Sequence, residues 1–208
     1  MNYPQWQPAE EPAVLSAGAE AFALDYAPTL HRILARLLDV LVHLVSGFFA
    51  LIWIGVFAAL FFRGVSNAFL ATLGSNKLVA IVFGLLGMTA YHTCMEGLHG
   101  STIGKRLLGL QVLKDDGESC SLAQAAKRSL AILWDGLFFG LIGIVAMNGC
   151  PQRQRNGDDW AGTVVVRRAS VPPAAQRSGK ELFAALLLAI VADMLFLSMG
   201  HLTTYALG

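Results

Sequence analysis

The stretch HRILARLLDVLVHLVSGFFALIWIGVFAALFF, residues 31–62, decides the fold of this chain. Its charged side chains all lie in the first nine residues, and the remaining 23 contain no Asp, Glu, Lys or Arg. At a helical rise of about 1.5 Å per residue, those 23 residues reach roughly 34 Å, which crosses a hydrocarbon core of about 30 Å with some tilt. The stretch therefore predicts a transmembrane helix over about residues 34–62.

Ionisable residues share one face of this predicted helix near its start. At about 100° per residue they fall within an arc of roughly 60°. They are Arg32, Arg36, Asp39 and His43. Because charges inside a membrane span usually face protein or water, this face is a candidate functional surface.

The composition indicates a multi-pass membrane protein. Of the 208 residues, 55% are hydrophobic and only 14% are charged, and the mean hydropathy is +0.57. Soluble domains carry about 25% charged residues. The formal net charge of +1 provides no field that would attract nucleic acid, so we expect no nucleic-acid partner. The three cysteines follow no disulfide or metal-binding spacing and are interpreted as reduced thiols.

Further apolar segments follow the first. The second is predicted over residues 78–95 and the third over residues 122–148. A capping box at Ser121 predicts where the third begins. An additional transmembrane helix is predicted over residues 181–203, after a proline-containing linker at residues 169–180.

Two strand-like stretches, residues 107–114 and 162–167, flank the third segment. The prolines and acidic residues of residues 1–30 predict a mobile or surface-lying tail, so the main membrane domain covers residues 31–168. The predicted fold class is an all-α membrane protein with about three to four transmembrane or re-entrant helical segments and a small two-stranded cytoplasmic β element.

The distribution of Lys and Arg favours a third segment that re-enters the membrane. The loop at residues 63–77 holds two basic residues, whereas five follow the second segment and six follow the third. The positive-inside rule then places the N-terminus and both later stretches in the cytoplasm. A third segment that turns back near Asp135 and Gly136 satisfies the rule, although its length would also allow a single span. The two strand-like stretches could then pair on one side.

Three short pieces of sequence resemble the RDD family of bacterial membrane proteins, which is named for one arginine and two aspartates. They are ARLLD at residues 35–39, TIGKRLLGL at residues 102–110 and RNGDDWAGT at residues 155–163. They occur in the family's order between apolar segments, and the resemblance covers about residues 31–168.

The resemblance maps the family's named residues onto Arg36, Asp39 and Asp158, with Asp159 beside the last of them. It implies a multi-pass protein of the bacterial inner membrane for which transport is the activity usually suggested. It implies nothing about residues 181–203, which lie outside the family core.

Two interpretations of these named residues remain open. In the structural one, Arg36 reaches lipid phosphates and Asp39 pairs with it. In the functional one, Arg36, Asp39 and Asp158 form a charge cluster along a path for cations or protons. An intramembrane charge costs about 2.5 to 3.5 kcal/mol and is usually kept for a function. Additional candidates for the cluster are His43, Asp135, Asp159 and Asp193.

His92, Glu96 and His99 would share a face at the end of the second helix, which makes them a weak candidate for a metal site. Gly97 and Gly100 indicate instead that the helix ends there and that the three side chains are a polar terminus. We therefore predict no metal and no other cofactor.

Two functions are compatible with the sequence. The first is a small transporter or an ion- or proton-conducting protein, which would need a homo-oligomer to enclose a path. The alternative is a scaffold or accessory subunit that packs against another membrane protein through Gly136 and Gly140, or through Ala185, Ala189 and Asp193. Flux in liposomes distinguishes them. The sequence shows no Ser/His/Asp or Cys/His arrangement and no phosphate-binding loop, so an enzyme is not expected.

The re-entrant third segment predicts that Cys120 and Cys150 both face the cytoplasm. With Cys94 replaced, an impermeant thiol reagent added to intact cells should label neither residue, whereas the same reagent should reach accessible thiols after lysis. Labelling of Cys150 alone in intact cells would place the two residues on opposite sides and would overturn the predicted topology.

Overall fold

The computed structural model describes residues 14–17, 20–61, 76–135 and 140–207. In chain order the elements are β1 (Val14–Ala17), β2 (Glu20–Ala23), α1 (Thr29–Phe61), α2 (Lys77–His99), α3 (Ile103–Leu107), β3 (Leu110–Lys114), α4 (Leu122–Leu130), α5 (Ile132–Asp135), α6 (Leu141–Gly149), α7 (Asn156–Trp160), β4 (Thr163–Arg167) and α8 (Gly179–Leu207). Short 3-10 turns connect β4 to α8.

Helices α1, α2 and α8 are long and apolar enough to cross a membrane, as predicted for the first, second and last apolar segments. Their outer faces carry large apolar side chains that no part of the described chain covers. Leu41 is 58% exposed, Trp53 63% and Leu195 59%. Because exposing an apolar surface of this extent to water is unfavourable, these faces are suited to contact lipid.

Helices α2 and α8 pack closely because small residues lie between them. A Cβ atom added to Gly87 would lie 2.5 Å from Oδ1 of Asp193. One added to Gly200 would lie 2.7 Å from the Cβ atom of Phe83. Neither position accepts a side chain without movement of the neighbouring helix. This is the small-residue packing expected of membrane helices.

The third predicted segment is not one continuous helix. Its described residues form α4, α5 and α6, and α6 begins after Gly140, which has a left-handed φ of 86°. A Cβ atom on Gly143 would lie 3.5 Å from the Cβ atom of Asp135. Eight residues of a continuous helix would separate them by about 12 Å. The chain therefore reverses between α5 and α6, as the re-entrant interpretation requires, whereas Gly136 lies outside the described residues.

The predicted pairing of the two strand-like stretches is confirmed. Strands β3 and β4 are antiparallel, with Val112 opposite Val165. The first strand begins at Leu110, later than the predicted residue 107, because residues 103–107 form helix α3. Thr102 caps that helix by accepting a hydrogen bond from the backbone N–H of Lys105.

The predicted tail at residues 1–30 needs correction at its end. Tyr26 forms a bridge with Val166, and the N–H of Ala27 donates to the carbonyl of Val165 at 2.9 Å. Leu24 and Ala27 are buried. The free edge of β4 attracts this segment, because its backbone groups are otherwise unpaired, so the end of the tail belongs to the core. Upstream, β1 and β2 form a separate antiparallel pair.

Cys120 is part of the core beneath the β3–β4 sheet, together with Leu110 and Ala125. It is only 2% exposed, and burial raises the pKa of its thiol to about 11. A thiol reagent cannot reach it in the folded protein, so Cys150, which is half-buried, carries the labelling test of topology.

Helix α3 contacts α1 so closely that Gly104 is required between them. A Cβ atom at Gly104 would lie 2.1 Å from the backbone oxygen of Ala35. We expect Gly104→Ala to destabilise the protein by about 1–3 kcal/mol or more, because the backbones must separate. The measurement is the thermal unfolding midpoint in detergent.

Gly149→Ala is the matched control, because nothing lies within 4 Å of a Cβ atom added there. It should unfold at the temperature of the unsubstituted protein. Equal midpoints for the two variants would contradict the close contact between α3 and α1.

Candidate functional site

Buried and half-buried charged side chains from six helices and a turn meet at the end of the bundle where α1 begins and α2 ends. We call them the charge cluster, and they are Arg32, Arg36, Asp39, Glu96, Lys105, Arg128, Asp135, Arg155 and Asp158. Helix α1 supplies three of them because its polar face carries residues at helical spacing. The sharp turns between the short elements bring in the rest.

Asp158 lies at the centre of three guanidinium groups. Its Oδ1 is 3.0 Å from Nη2 of Arg128 and 3.1 Å from Nε of Arg155, and Arg32 binds its Oδ2. Burial alone would raise the pKa of Asp158, but the three arginines outweigh burial and hold that pKa well below its usual range. Asp158 is therefore a carboxylate at any physiological pH.

Glu96 is the second anionic centre, and Arg128 joins it to the first. Nε of Arg128 is 3.1 Å from Oε2 of Glu96, and Lys105 binds Oε1 of the same carboxylate. Burial lowers the pKa of Lys105 to about 8, although Glu96 opposes the shift. Arg128 itself is completely buried, and its pKa is raised because Asp158 and Glu96 outweigh the effect of burial.

Arg36 enters the cluster through a histidine rather than through a carboxylate. Its Nη1 contacts Nε2 of His92, and its Nη2 donates to the sulfur of Met88 at 3.4 Å. Nδ1 of His92 lies 3.4 Å from Oε1 of Glu96. Since a guanidinium has only donors, Nε2 of His92 must accept, and the proton sits on Nδ1. His92 is therefore neutral, and its two ring nitrogens connect Arg36 to Glu96.

Asp39 is held by neutral donors. Its Oδ1 accepts from the N–H of Gly104 at 2.9 Å and from the hydroxyl of Tyr91 at 3.2 Å, and its Oδ2 accepts from the hydroxyl of Thr102 at 2.7 Å. No ion pair joins it to Arg36 within the described part of the chain. The structural interpretation in which Asp39 pairs with Arg36 is therefore not what the geometry shows; Asp39 instead docks helix α3 onto α1.

Asp135 closes the cluster on the side of the reversal between α5 and α6. It accepts from Nδ2 of Asn156 at 2.9 Å and from the N–H of Gly157 at 3.2 Å. Nε of Arg155 is 3.7 Å away. The side chain thus fixes the start of α7 against the end of α5.

A cavity of about 350 Å³ lies against the charge cluster. The polar part of its lining, called the polar wall below, includes Arg32, Arg36, Lys105 and Arg155 together with the carboxylates of Asp39, Glu96 and Asp135. The apolar part, called the apolar wall, includes Ile33, Leu37, Ile144 and Met147. Its volume is in the range of small-molecule sites.

Of the residues that the sequence singled out, the structure brings Arg36, Asp39, Asp158 and Asp135 into the cluster. Asp159 is exposed, whereas Asp158 is buried and contacts Arg128, so Asp158 is the one of the two neighbouring aspartates that belongs to the network. His43 and Asp193 form a separate pair deeper in the bundle, with Nδ1 of His43 2.9 Å from Oδ1 of Asp193.

The weak metal candidate is not assembled as a metal site. Glu96 is taken by Lys105 and Arg128, and His92 lies between Arg36 and Glu96. His99 bonds to neither of them. Among the residues that the structure describes, no group of three or more His, Cys, Asp or Glu side chains is placed to hold a metal ion.

The sequence places Arg32 on the candidate face of α1, but it does not indicate the other three basic members of the cluster. Lys105 and Arg155 belong to the second and third pieces that resemble the family, so both had a signal. Arg128 had no such signal, because nothing in the sequence indicates that α4 turns it toward the protein interior.

Arg128→Leu should destabilise the protein by about 3–5 kcal/mol, because it leaves Glu96 and Asp158 buried with one cation fewer. Lys127→Leu is the matched control, since Lys127 is the exposed neighbour on the same helix. Thermal unfolding in detergent measures both. If the two variants unfold together, Arg128 does not bridge the two carboxylates.

Comparison with known proteins gives one family. The sequence model of the RDD family matches residues 26–162. No curated protein and no solved structure shows a significant match. The matched region contains all nine members of the charge cluster and strand β3, and it ends one residue before strand β4 begins. With about two thirds of its length matched, and with apolar helices long enough to cross a membrane, this chain is a membrane protein that belongs to the RDD family.

Proposed function

We propose that this protein is a small transporter, or an ion- or proton-conducting protein, whose binding site is the cavity against the charge cluster. The observation that carries the proposal is the cavity itself. Seven of its lining side chains are ionisable acids and bases other than histidine, and they come from elements far apart in the chain. Keeping so many charges beside a void is costly unless something binds there.

A row of ionisable side chains that leads from this cavity into the bundle also supports the proposal. Along α1, Asp39 follows the cavity-lining Arg36, and His43 follows one turn later. His43 contacts Asp193 of α8, which is completely buried. Ionisable groups thus succeed one another from the cavity toward the middle of α8, as expected for a route that carries an ion or a proton.

The remaining parts of the proposal concern assembly and location. Three long helices are too few to surround a path, so we infer a homo-oligomer or a complex with another membrane protein. We infer that the protein lies in the bacterial inner membrane, and the positive-inside rule favours an orientation with the N-terminus and the charge cluster at the cytoplasmic face. The sequence offers no nucleophile with a base, so we infer that the protein is not an enzyme.

The scaffold alternative has less support. One of the two surfaces that it could use is the stripe of Ala185, Ala189 and Asp193, whereas Gly136 of the other surface lies outside the described residues. Ala185 and Ala189 are instead buried against Tyr91 and Met95 of the same chain, and Asp193 bonds His43. A stripe that is used within one chain is not free to bind a partner.

Asp39→Asn should reduce flux by at least about tenfold, because a hydrogen bond to a charged group is worth about 1.5–3 kcal/mol and the change removes the charge next to the cavity. Flux is measured in proteoliposomes under imposed pH and salt gradients. Asparagine keeps the size and one acceptor oxygen, so the variant should still insert and fold.

The matched control is Asp159→Asn, which makes the same change at an exposed carboxylate outside the cluster. It should leave flux unchanged. Absence of flux in the unsubstituted protein, or full flux in Asp39→Asn, would argue against transport through this cavity.

A further inference from the structure

The polar wall of the cavity has unequal numbers of free donors and free acceptors. Its carboxylates are already occupied by protein groups. Oδ1 of Asp39 has two donors and Oδ2 has one, and each oxygen of Asp135 has a donor. Glu96 contacts Lys105 and His92 through Oε1 and Arg128 through Oε2. Little acceptor capacity remains on this wall for a cation.

Arg36 is the opposite case. It lines the cavity, but the described structure places no carboxylate oxygen within ion-pairing distance of it. Its contacts are a neutral histidine and a thioether sulfur, both weak partners for a guanidinium. A guanidinium has five N–H donors in a planar fork, so donors of Arg36 remain for a ligand in the cavity.

The net charge of the charge cluster also favours an anion as the ligand. The charge cluster contains five basic and four acidic side chains, and His92 is neutral because it accepts from Arg36. The cluster is therefore one positive charge in excess. A single anion in the cavity would neutralise it, whereas a cation would double the excess in a low-dielectric environment.

The apolar wall indicates what the anion is attached to. Ile33, Leu37, Ile144 and Met147 face the same cavity as the arginines. A bare inorganic ion would leave this wall in contact with water, whereas a molecule with an apolar part would cover it.

We propose that the cavity binds an oxyanion, a carboxylate or phosphate group on a small and partly apolar molecule, with Arg36 as its main ligand. The inference rests on the proposed function for the transport step and names its substrate class. Arginine matches both groups because its fork donates to two oxygens at once. The same chemistry is offered by a soluble organic acid or phosphate and by the headgroup of an anionic lipid.

The soluble arm of the test uses purified protein in a neutral detergent. Monobutyl phosphate should raise the thermal unfolding midpoint in a saturable way, and butanol at the same concentrations should not, with ionic strength held constant. Inorganic phosphate should bind more weakly, because it leaves the apolar wall uncovered.

The lipid arm uses bilayer nanodiscs of phosphatidylcholine with and without phosphatidylglycerol. Native mass spectrometry should find phosphatidylglycerol retained by the protein. Retention without binding of monobutyl phosphate assigns the site to a lipid headgroup, and binding of monobutyl phosphate without retention assigns it to a soluble ligand. Either result supports the oxyanion site.

Arg36→Gln is the decisive variant, because removing Arg36 leaves no carboxylate without its ion-pair partner and the protein should still fold. It should weaken binding by about tenfold or more, since charge-assisted hydrogen bonds to the ligand are lost. Arg36→Lys, which keeps the charge, should retain part of the affinity. Lys127→Gln removes the same charge from an exposed position and should bind as the unsubstituted protein does.

The inference is overturned if neither monobutyl phosphate nor phosphatidylglycerol binds, or if Arg36→Gln binds as tightly as the unsubstituted protein. These results are separate from those that test transport. Cation or proton flux without anion binding would retain the proposed function and reject the oxyanion site. Anion binding that depends on Arg36, without flux, would retain the site and reject transport.

Discussion

The contact of Arg128 with both Glu96 and Asp158 is the interaction on which the rest of the structure depends. Arg128 is completely buried, and its two partners come from helix α2 and from the start of α7, more than sixty positions apart in the sequence. A buried guanidinium is tolerated only where carboxylates surround it, so α4 has one position in which it is stable. In that position α4 holds the β3–β4 sheet against the long helices.

A buried ion cluster is not in itself a source of stability, because desolvation offsets most of the attraction between its charges. Its effect is to favour a single packing of the helices. Each carboxylate of the cluster is satisfied only when several elements are in place together: Asp39 needs α3, Asp135 needs α7, and Asp158 needs both α1 and α4. A partly assembled cluster leaves a buried charge unpaired. The free energy lost in that way is larger than the net stabilisation that the complete cluster provides. The cluster therefore discriminates against alternative packings of helices that are otherwise uniformly apolar.

The sequence predicts the fold well where local physics decides it. The long apolar runs predict α1, α2 and α8, and the capping box at Ser121 predicts the start of α4. The pairing of β3 with β4 follows from the charge distribution together with strand propensity. The cluster was harder to predict, because an arginine such as Arg128 has the same local pattern whether it faces solvent or two buried carboxylates. Its direction depends on the reversal after Asp135, which is a tertiary event without a strong local signal.

Helix α8 extends the row of buried ionisable residues beyond the matched family segment. That segment ends at residue 162, and α8 begins at Gly179. Even so, Asp193 of α8 is completely buried, bonds His43 of α1 and lies where a side chain on Gly87 of α2 would be. A buried carboxylate persists in a membrane helix only where a partner offsets its cost, and here the partner lies on a helix of the family core. Because α8 also buries Ala185 and Ala189 against α2, it is an integral part of the bundle rather than an appended anchor. The row of ionisable side chains that begins beside the cavity therefore continues into a helix outside the matched family segment.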